Sequence, residues 1–220
     1  ILGHITGGMG IANVGASLIM SGMSGSAVAD AAGLGLVEIK AMKDVGYEPE
    51  YCAVVTASSS AIGPIFPPSI PLVIYGALSG ISVTALFIGG ILPGLLLAGL
   101  LALVVWTEAK LRHYPRETRA SWGEVLRRGL GALPALTSPT IIIGGIVFGW
   151  FTPTEASVIA ALVAIFLGLI VYRDLNLARL AIAFKKTVAY TSKVMIIVAG
   201  AAIFSWVLSY EGVPMWIAEA

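Results

Sequence analysis

Residues 53–76 read AVVTASSSAIGPIFPPSIPLVIYG, and this stretch describes a membrane-spanning helix that is interrupted in its middle. Apolar residues flank a serine run, a Gly-Pro pair and then Pro67, Pro68 and Pro71. Each proline lacks an amide donor and clashes with the preceding turn, so the helical hydrogen bonds are interrupted here. Irregular backbone persists in a bilayer only where protein, ion, substrate or water pairs with it. The stretch therefore predicts a binding site, with a proline-kinked packing helix as the alternative.

Composition places the whole chain in a membrane. Hydrophobic residues make up 58% of its 220 residues and charged residues only 11%, and the mean hydropathy is +0.94. Such a chain has too little polar surface to be soluble, so we expect an all-α polytopic membrane protein embedded in a lipid bilayer. The net charge of +1 gives no reason to expect a nucleic-acid partner. The single cysteine, Cys52, excludes an internal disulfide and a cysteine-built metal site.

Apolar runs of about 20 residues, the length that a bilayer requires, alternate with charged loops. They predict spans near residues 52–78 (interrupted), 85–106, 133–151, 156–172 and 187–210. Alternate loops carry the basic residues Lys40, Lys43, Lys110, Arg112, Arg116, Arg119, Arg127, Arg128, Arg173, Arg179, Lys185 and Lys186. By the positive-inside rule these loops are cytoplasmic, and the end at residue 220 is periplasmic. Lys193, within the last span, is expected to extend its amine toward the inner surface.

The segment before the interrupted helix predicts a re-entrant hairpin over residues 8–36. Only about ten apolar residues precede a tip rich in glycine and serine, which is half the length needed to cross a bilayer. A small-residue helix that crosses once is the alternative. Gly22 and Gly25 favour the hairpin, because both would weaken a continuous helix.

A hairpin tip beside an interrupted helix is a device for binding ions. Unwound carbonyls and helix C-termini present partial negative charge to a cation, and hydroxyl oxygens suit a hard cation such as sodium. The candidate cation-binding residues are Ser21, Ser24, Gly25, Ser26, Ser58, Ser59, Ser60 and Gly63. The residues expected to bind substrate or to shape the site are Asp30, Pro64, Pro67, Pro68 and Ser69. Any one of these hydroxyls could instead bond to its own helix.

Five runs of sequence resemble one known family. They are SGMSGSAVADAAGLG (21–35), EIKAMKDVGYEPE (38–50), TASSSAIGPIFPPSIPLVIYG (56–76), GGILPGLL (89–96) and GWFTPTEASV (149–158). In this order they look like the large permease subunit of the tripartite ATP-independent periplasmic (TRAP) transporters, the DctM-like family. The resemblance extends along essentially the whole chain.

The resemblance implies a partial elevator-type ion-transporter fold in the bacterial inner membrane. It implies sodium as the coupling ion, no other cofactor or metal, and a small carboxylate substrate such as a C4-dicarboxylate or sialic acid. It also implies a DctQ-like small membrane subunit and a DctP-like periplasmic binding protein as partners. Residues 1–107 would carry the transport elements of the first repeat, 108–130 an amphipathic cytoplasmic connecting helix, and 131–220 the scaffold-type start of the second repeat. The chain begins without methionine and would lack helices before Ile1 and a second hairpin after Ala220.

Two other classes of function deserve comparison with secondary transport. An enzyme would need a nucleophile with a base or a metal cluster within the spans, and the sequence contains neither HExxH nor paired acids there, so we expect no enzymatic activity. The Walker A motif is also missing from these 220 residues. An anion channel or facilitator lined by the interrupted helix stays the alternative, because broken helices also line pores.

Overall fold

Helices make up most of residues 3–115, 121–213 and 216, the part of the chain that the computed structural model describes. In chain order they are α1 (Gly8–Ser24), α2 (Ala27–Ala32), α3 (Leu34–Asp44), α4 (Pro49–Ser60), α5 (Ile70–Ser79), α6 (Val83–Leu111), α7 (Trp122–Val147), α8 (Pro153–Phe166) and α9 (Leu177–Tyr210). A π-helical turn, Leu167–Val171, continues α8. The predicted all-α membrane fold is confirmed.

Four segments within the described residues are long and apolar enough to cross a membrane: Val83–Leu111, Trp122–Val147, Pro153–Val171 and Leu177–Tyr210. They correspond to the four uninterrupted spans predicted from hydropathy. Two of them begin about ten residues earlier than predicted, because polar caps and not the edge of the apolar run set their first turn. Ser121 accepts a hydrogen bond from the amide of Glu124, and Asn176 accepts one from the amide of Arg179.

The chain is interrupted where the prolines predicted it. α4 ends at Ser60 and α5 begins at Ile70, and the residues between them form successive turns. Ser69 caps α5 by accepting a hydrogen bond from the amide of Leu72. The proline-kinked single helix is therefore excluded, since a nine-residue gap separates the two helices.

The chain reverses within the predicted hairpin, and its arms are longer than the sequence indicated; its re-entrant path through the membrane stays a prediction. The chain reverses at Gly25, so that α2 and α3 return alongside α1 and the start of α1 meets the end of α3. Asn13 of α1, for example, contacts Met42 of α3. Of the two arms, α1 packs on α4 and α6, and α3 packs on α4.

The predicted connecting helix over residues 108–130 is wrong as a single element. Its first residues complete α6, and its last residues open α7. Between them His113 adopts a left-handed conformation (φ 55°) and Pro115 follows, and both features interrupt a helix. Arg116, Arg119 and the end at residue 220 lie outside the described residues. The cytoplasmic side of all the basic loops and the periplasmic side of residue 220 stay predictions.

By their internal contacts, residues 1–164 and 165–220 form two compact units. The first contains α1 to α7 and most of α8. In the second, Leu175 packs on Gly168 before α9 begins, and the amide of Leu175 donates to the carbonyl of Gly168 at 3.1 Å. None of the described residues of α9 is buried.

The core of the first unit joins the hairpin to α4 and α6. Its buried residues are Val14, Met42, Tyr47, Cys52, Val55, Ile62, Ala98, Val105, Ala109 and Tyr114. A second cluster, formed by Phe87, Ile142, Ile146 and Ala156, joins α6, α7 and α8. The predicted small core role of Cys52 agrees with its complete burial.

An aromatic and ionic cluster closes one end of this core. The rings of Tyr47 and Tyr114 stack with centroids 4.4 Å apart, and Glu48 accepts hydrogen bonds from Arg112 Nη1 at 2.9 Å and from the Tyr114 hydroxyl at 3.3 Å. Burial, together with the charge of Glu48, raises the pKa of Tyr114, so the phenol keeps the proton that it donates. The cluster thus ties the α3–α4 loop to the end of α6.

The close approach of α6 to the interruption gives a test of this packing. A Cβ atom on Gly90 would lie 2.6 Å from the carbonyl oxygen of Ile65, whereas a Cβ on Gly89 would meet nothing within 4 Å. We expect Gly90→Ala to destabilise the protein by about 1–3 kcal/mol because the backbone must shift. Thermal unfolding in detergent measures this effect.

Gly89→Ala is the matched control and should be neutral or slightly stabilising, since alanine favours helix over glycine. Equal melting temperatures for the two variants would contradict the packing of α6 on the interruption.

Candidate functional site

The hairpin tip lies against the segment that separates α4 from α5. Gly25 has a left-handed backbone (φ 59°), and a Cβ there would lie 2.5 Å from the carbonyl oxygen of Pro68. The amide of Ile70, the first residue of α5, donates to the carbonyl of Gly25 at 3.2 Å. Only glycine permits both the backbone angle and the close approach at this position. The two elements that the sequence singled out therefore meet at their irregular residues.

Asp30 is the charged group at this meeting point. Its side chain is 2% exposed, and its Oδ1 atom accepts a hydrogen bond from the hydroxyl of Ser24. Its Oδ2 atom is buried and has no hydrogen-bond partner, and none of the ion pairs among the described residues includes Asp30. A buried carboxylate oxygen without a partner is costly, so Asp30 Oδ2 marks a place where a ligand would be stabilised.

The space in front of this oxygen is formed by a glycine of the interruption. A Cβ on Gly63 would lie 2.9 Å from Asp30 Oδ2, 3.3 Å from the carbonyl oxygen of Ser60 and 3.3 Å from the carbonyl carbon of Ser26. A carboxylate and a main-chain carbonyl are oxygen ligands of the kind that hard cations take. Two such oxygen atoms therefore lie beside Gly63, where the hairpin tip meets the interrupted helix.

Six of the predicted residues come together around this point. They are Ser24, Gly25, Ser26, Asp30, Ser60 and Gly63. Ser24 and Ser26 are also engaged locally, because the Ser24 oxygen accepts from the amide of Ser26 at 3.3 Å and the Ser26 oxygen caps α2 through the amide of Ala29 at 3.4 Å. The hydroxyl of Ser60 donates to Ala57 in its own helix at 2.8 Å, so this residue faces the site with its carbonyl.

Ser21 and Ser58 lie elsewhere, whereas Ser69 lies against the hairpin tip, because a Cβ on Gly25 would be 3.2 Å from Ser69 Cα. Ser21 donates to the carbonyl of Leu18 within α1 at 2.6 Å. Ser58 is exposed and lines a groove of about 320 Å³ between α4 and α6. Ser69 donates to the carbonyl of Pro64 at 2.5 Å and thereby folds the interruption on itself.

Two of the predicted prolines face an apolar surface. Pro67 and Pro68 line a small pocket together with Phe87, Ile91, Ile142, Ile143, Ile146 and Val147 of α6 and α7. Apolar side chains supply no partner for a carboxylate. In this arrangement the two prolines shape the interruption, and their part in binding substrate stays a prediction.

A buried polar network beside the site was missed by the sequence analysis. Asn13 Nδ2 donates to Thr56 Oγ1 at 2.7 Å, and Ser59 Oγ donates to Asn13 Oδ1 at 2.7 Å. The hydroxyls of Ser17 and Ser59 are 2.9 Å apart, and Asn13 Nδ2 also points at Met42 Sδ at 3.7 Å. We call these five residues the Asn13 network.

Helical spacing was the signal for this network. On α1, Asn13, Ser17 and Ser21 recur every four residues and so lie on one face. Thr56 and Ser59 likewise share a face of α4. In membrane proteins each interhelical hydrogen bond contributes about 0.6 kcal/mol on average, so the network holds α1 on α4 by a modest amount in total.

Comparison with known proteins identifies the family of this chain. The family described as "Tripartite ATP-independent periplasmic transporter, DctM component" matches residues 1–220. The chain belongs to this family. It is 45% identical over 219 residues to the sialic acid TRAP transporter large permease protein SiaM of Vibrio cholerae and 42% identical over 219 residues to the sialic acid TRAP transporter permease protein SiaT of Haemophilus influenzae. It is 38% identical over 218 residues to the C4-dicarboxylate TRAP transporter large permease protein DctM of Pseudomonas aeruginosa.

These alignments cover 99–100% of this DctM-family chain. They cover 51% of SiaM, 36% of SiaT and 51% of the Pseudomonas DctM. The chain therefore spans about half the length, or less, of the curated relatives that it matches. Family and membrane-length helices together assign it to the inner membrane as part of a large permease. Among the described residues, groups of three or more His, Cys, Asp or Glu able to hold a metal ion are absent.

The contact between the tip and the interruption gives a second test. We expect Gly25→Ala to separate them, because the new Cβ would overlap the carbonyl of Pro68 and the left-handed angle would cost about 1 kcal/mol besides. The measurement is the rate at which a thiol reagent modifies a cysteine placed at Ser26, which should increase.

Gly80→Ala is the matched control, because Gly80 is also left-handed (φ 71°) but a Cβ there would meet nothing within 4 Å. A Gly80→Ala variant that increases the modification rate as much as Gly25→Ala would show that the contact with Pro68 is unimportant.

Proposed function

We propose that this chain is part of the large transmembrane subunit of a sodium-coupled secondary transporter that imports small organic acids. The single observation that carries the proposal is Asp30. Its buried Oδ2 atom lacks a hydrogen-bond partner and faces Gly63 and the carbonyl of Ser60. A bound monovalent cation would supply the missing partner. Sodium fits this oxygen set better than a soft metal, because hard cations prefer carboxylate and carbonyl ligands.

The names of the relatives support the substrate class. Those relatives are named for sialic acid, 2,3-diketo-L-gulonate, C4-dicarboxylates and ectoine. All four are small water-soluble molecules that bear a carboxylate. We therefore propose a small carboxylate as the cargo of the complete permease. We also propose a small membrane subunit and a periplasmic binding protein as its partners, since a tripartite transporter has three components.

Coupling follows from the position of the cation. A cation at Asp30 would touch both the hairpin tip, through Asp30, and the interrupted helix, through Ser60. Binding would therefore order the tip against the interruption before the substrate is carried across. In an elevator-type mechanism residues 1–107 would move as the transport elements, while residues 131–220 would begin the scaffold. Cation and substrate would then raise each other's affinity, by about 5- to 150-fold for typical coupling.

Uptake into proteoliposomes tests this function. The complete permease that carries this sequence is reconstituted with its small subunit and binding protein, and uptake of a panel of radiolabelled carboxylates is measured with and without an inward sodium gradient. Accumulation should require both sodium and the binding protein. Flux that only equilibrates, and that ignores both, would overturn the proposal in favour of a channel or facilitator.

The role of Asp30 gives a third prediction. Asp30→Asn keeps the shape of the side chain and its contact with Ser24 but removes the negative charge. We expect the variant to need an at least about tenfold higher sodium concentration for half-maximal uptake, because a buried charge interaction of this kind exceeds about 1.4 kcal/mol. Gly63→Ala should act in the same direction by filling the space in front of Asp30 Oδ2.

Asp44→Asn is the matched control, because Asp44 is an exposed aspartate at the end of α3. It should leave the sodium dependence unchanged. A wild-type sodium response in Asp30→Asn would remove Asp30 from the cation site.

A further inference from the structure

We infer that Asn13 is a positioning residue that sets the sodium affinity of the site without touching the ion. The inference rests on the proposed sodium-coupled function and assigns a role to the Asn13 network. Three helices meet at this side chain: α1 carries Asn13, α3 carries Met42 and α4 carries Thr56. Asn13 is 3% exposed, Met42 1% and Thr56 3%, so these polar contacts form away from solvent.

Every hydrogen-bonding atom of the Asn13 side chain is engaged. The two amide hydrogens face Thr56 Oγ1 at 2.7 Å and Met42 Sδ at 3.7 Å, and the amide oxygen accepts from Ser59 at 2.7 Å. A fully engaged buried amide has one favourable orientation, because any rotation leaves a donor or an acceptor without a partner. Asn13 therefore fixes the register of α1 against α4.

These hydrogen bonds fix the atom to which the hydroxyl of Ser59 donates its proton. Its proton goes to Asn13 Oδ1, which is closer (2.7 Å) than the carbonyl of Thr56 (3.1 Å). Ser17, at 2.9 Å, must then be the donor to Ser59. Ser59 Oγ therefore accepts the Ser17 proton with one of its two lone pairs and gives its own proton to Asn13. Ser59, which the sequence analysis expected to ligate the cation, is thus a second member of the positioning network.

The network acts on the site through the end of α4. Ser59 is followed directly by Ser60, whose carbonyl oxygen lies beside Asp30 Oδ2 at Gly63. Asp30 itself is on the hairpin, which α1 carries. Holding α1 on α4 therefore sets the separation between the carboxylate and the carbonyl, the two oxygens that come from different elements. Loosening the network would weaken cation binding while leaving both ligands in the chain.

Sodium titration of uptake tests this role, with the reconstituted complete transporter and the labelled carboxylate that the wild type accumulates. Thr56→Val removes the hydroxyl but keeps the shape of the side chain, and Ser17→Ala removes the donor to Ser59. We expect each variant to raise the sodium concentration for half-maximal uptake about three- to tenfold, the range that corresponds to one or two interhelical hydrogen bonds. The rate at saturating sodium should stay close to that of the wild type. Thr56→Ser should restore the wild-type titration.

The control variants remove a threonine hydroxyl and a serine hydroxyl that each donate only to a carbonyl of their own helix. Thr107 Oγ1 donates to the carbonyl of Val104 at 2.8 Å, and Ser79 Oγ donates to the carbonyl of Tyr75 at 2.6 Å. Thr107→Val and Ser79→Ala should therefore titrate like the wild type. Should Thr56→Val and Ser17→Ala both match these controls in sodium titration, the positioning role is wrong.

A double-mutant cycle separates a positioning residue from a ligand. Asn13→Ala and Ser59→Ala should be non-additive, because either change breaks the same hydrogen bond. If Ser59 ligated sodium independently of Asn13, the double variant would lose the sum of the two effects, and that result would overturn the inference. Sodium-independent uptake by the wild type would be a different outcome, since it would refute the proposed function and, with it, the role assigned here.

Discussion

Backbone that leaves the helical pattern inside a membrane must find other hydrogen-bond partners, and the structure around the interruption depends on this constraint. The nine residues between α4 and α5, together with Ile70 at the start of α5, meet it in three ways. Successive turns pair the amides of Ala61, Ile62 and Gly63 with carbonyls at the end of α4. The hydroxyl of Ser69 satisfies the carbonyl of Pro64, and the carbonyl of Gly25 satisfies the amide of Ile70. The last bond comes from the hairpin, so satisfying the interruption also brings the tip into place.

Two buried polar residues on these elements contrast in how well they are satisfied. Asn13 engages all of its donors and its acceptor with protein groups, and such a group stabilises one arrangement of helices. Asp30 engages one oxygen with Ser24 and leaves the other without a partner beside Gly63. Because an unsatisfied buried carboxylate is costly, it is informative about ligands in a way that the satisfied amide is not. The proposed division of labour follows, with Asp30 touching the cation and Asn13 holding the surfaces that carry its ligands.

The sequence predicted the elements well and their polar contacts poorly. Prolines and glycine located the interruption, and the small residues around Gly25 located the reversal, because both effects are local to the backbone. Hydropathy located the four long spans but began two of them late, since helices start at caps such as Ser121 and Asn176 and not where apolar residues begin. The same neglect of local turns produced the single connecting helix, which His113 and Pro115 interrupt. The presence of a serine in the sequence does not show whether its hydroxyl bonds within its own helix, as at Ser21, or to a neighbouring helix, as at Ser59.

What the sequence by itself determined is the class of the protein, the positions of its irregular backbone and its family. Composition, prolines and glycines act through solvation and local sterics, and these effects do not depend on which distant residues lie nearby. Only the tertiary structure decided which polar atoms meet. Asp30 and Gly63 are 33 residues apart in the chain, and Asn13 and Ser59 are 46 residues apart. Whether a buried oxygen is satisfied depends on what packing brings within about 3 Å of it, and that distance is set by helix packing.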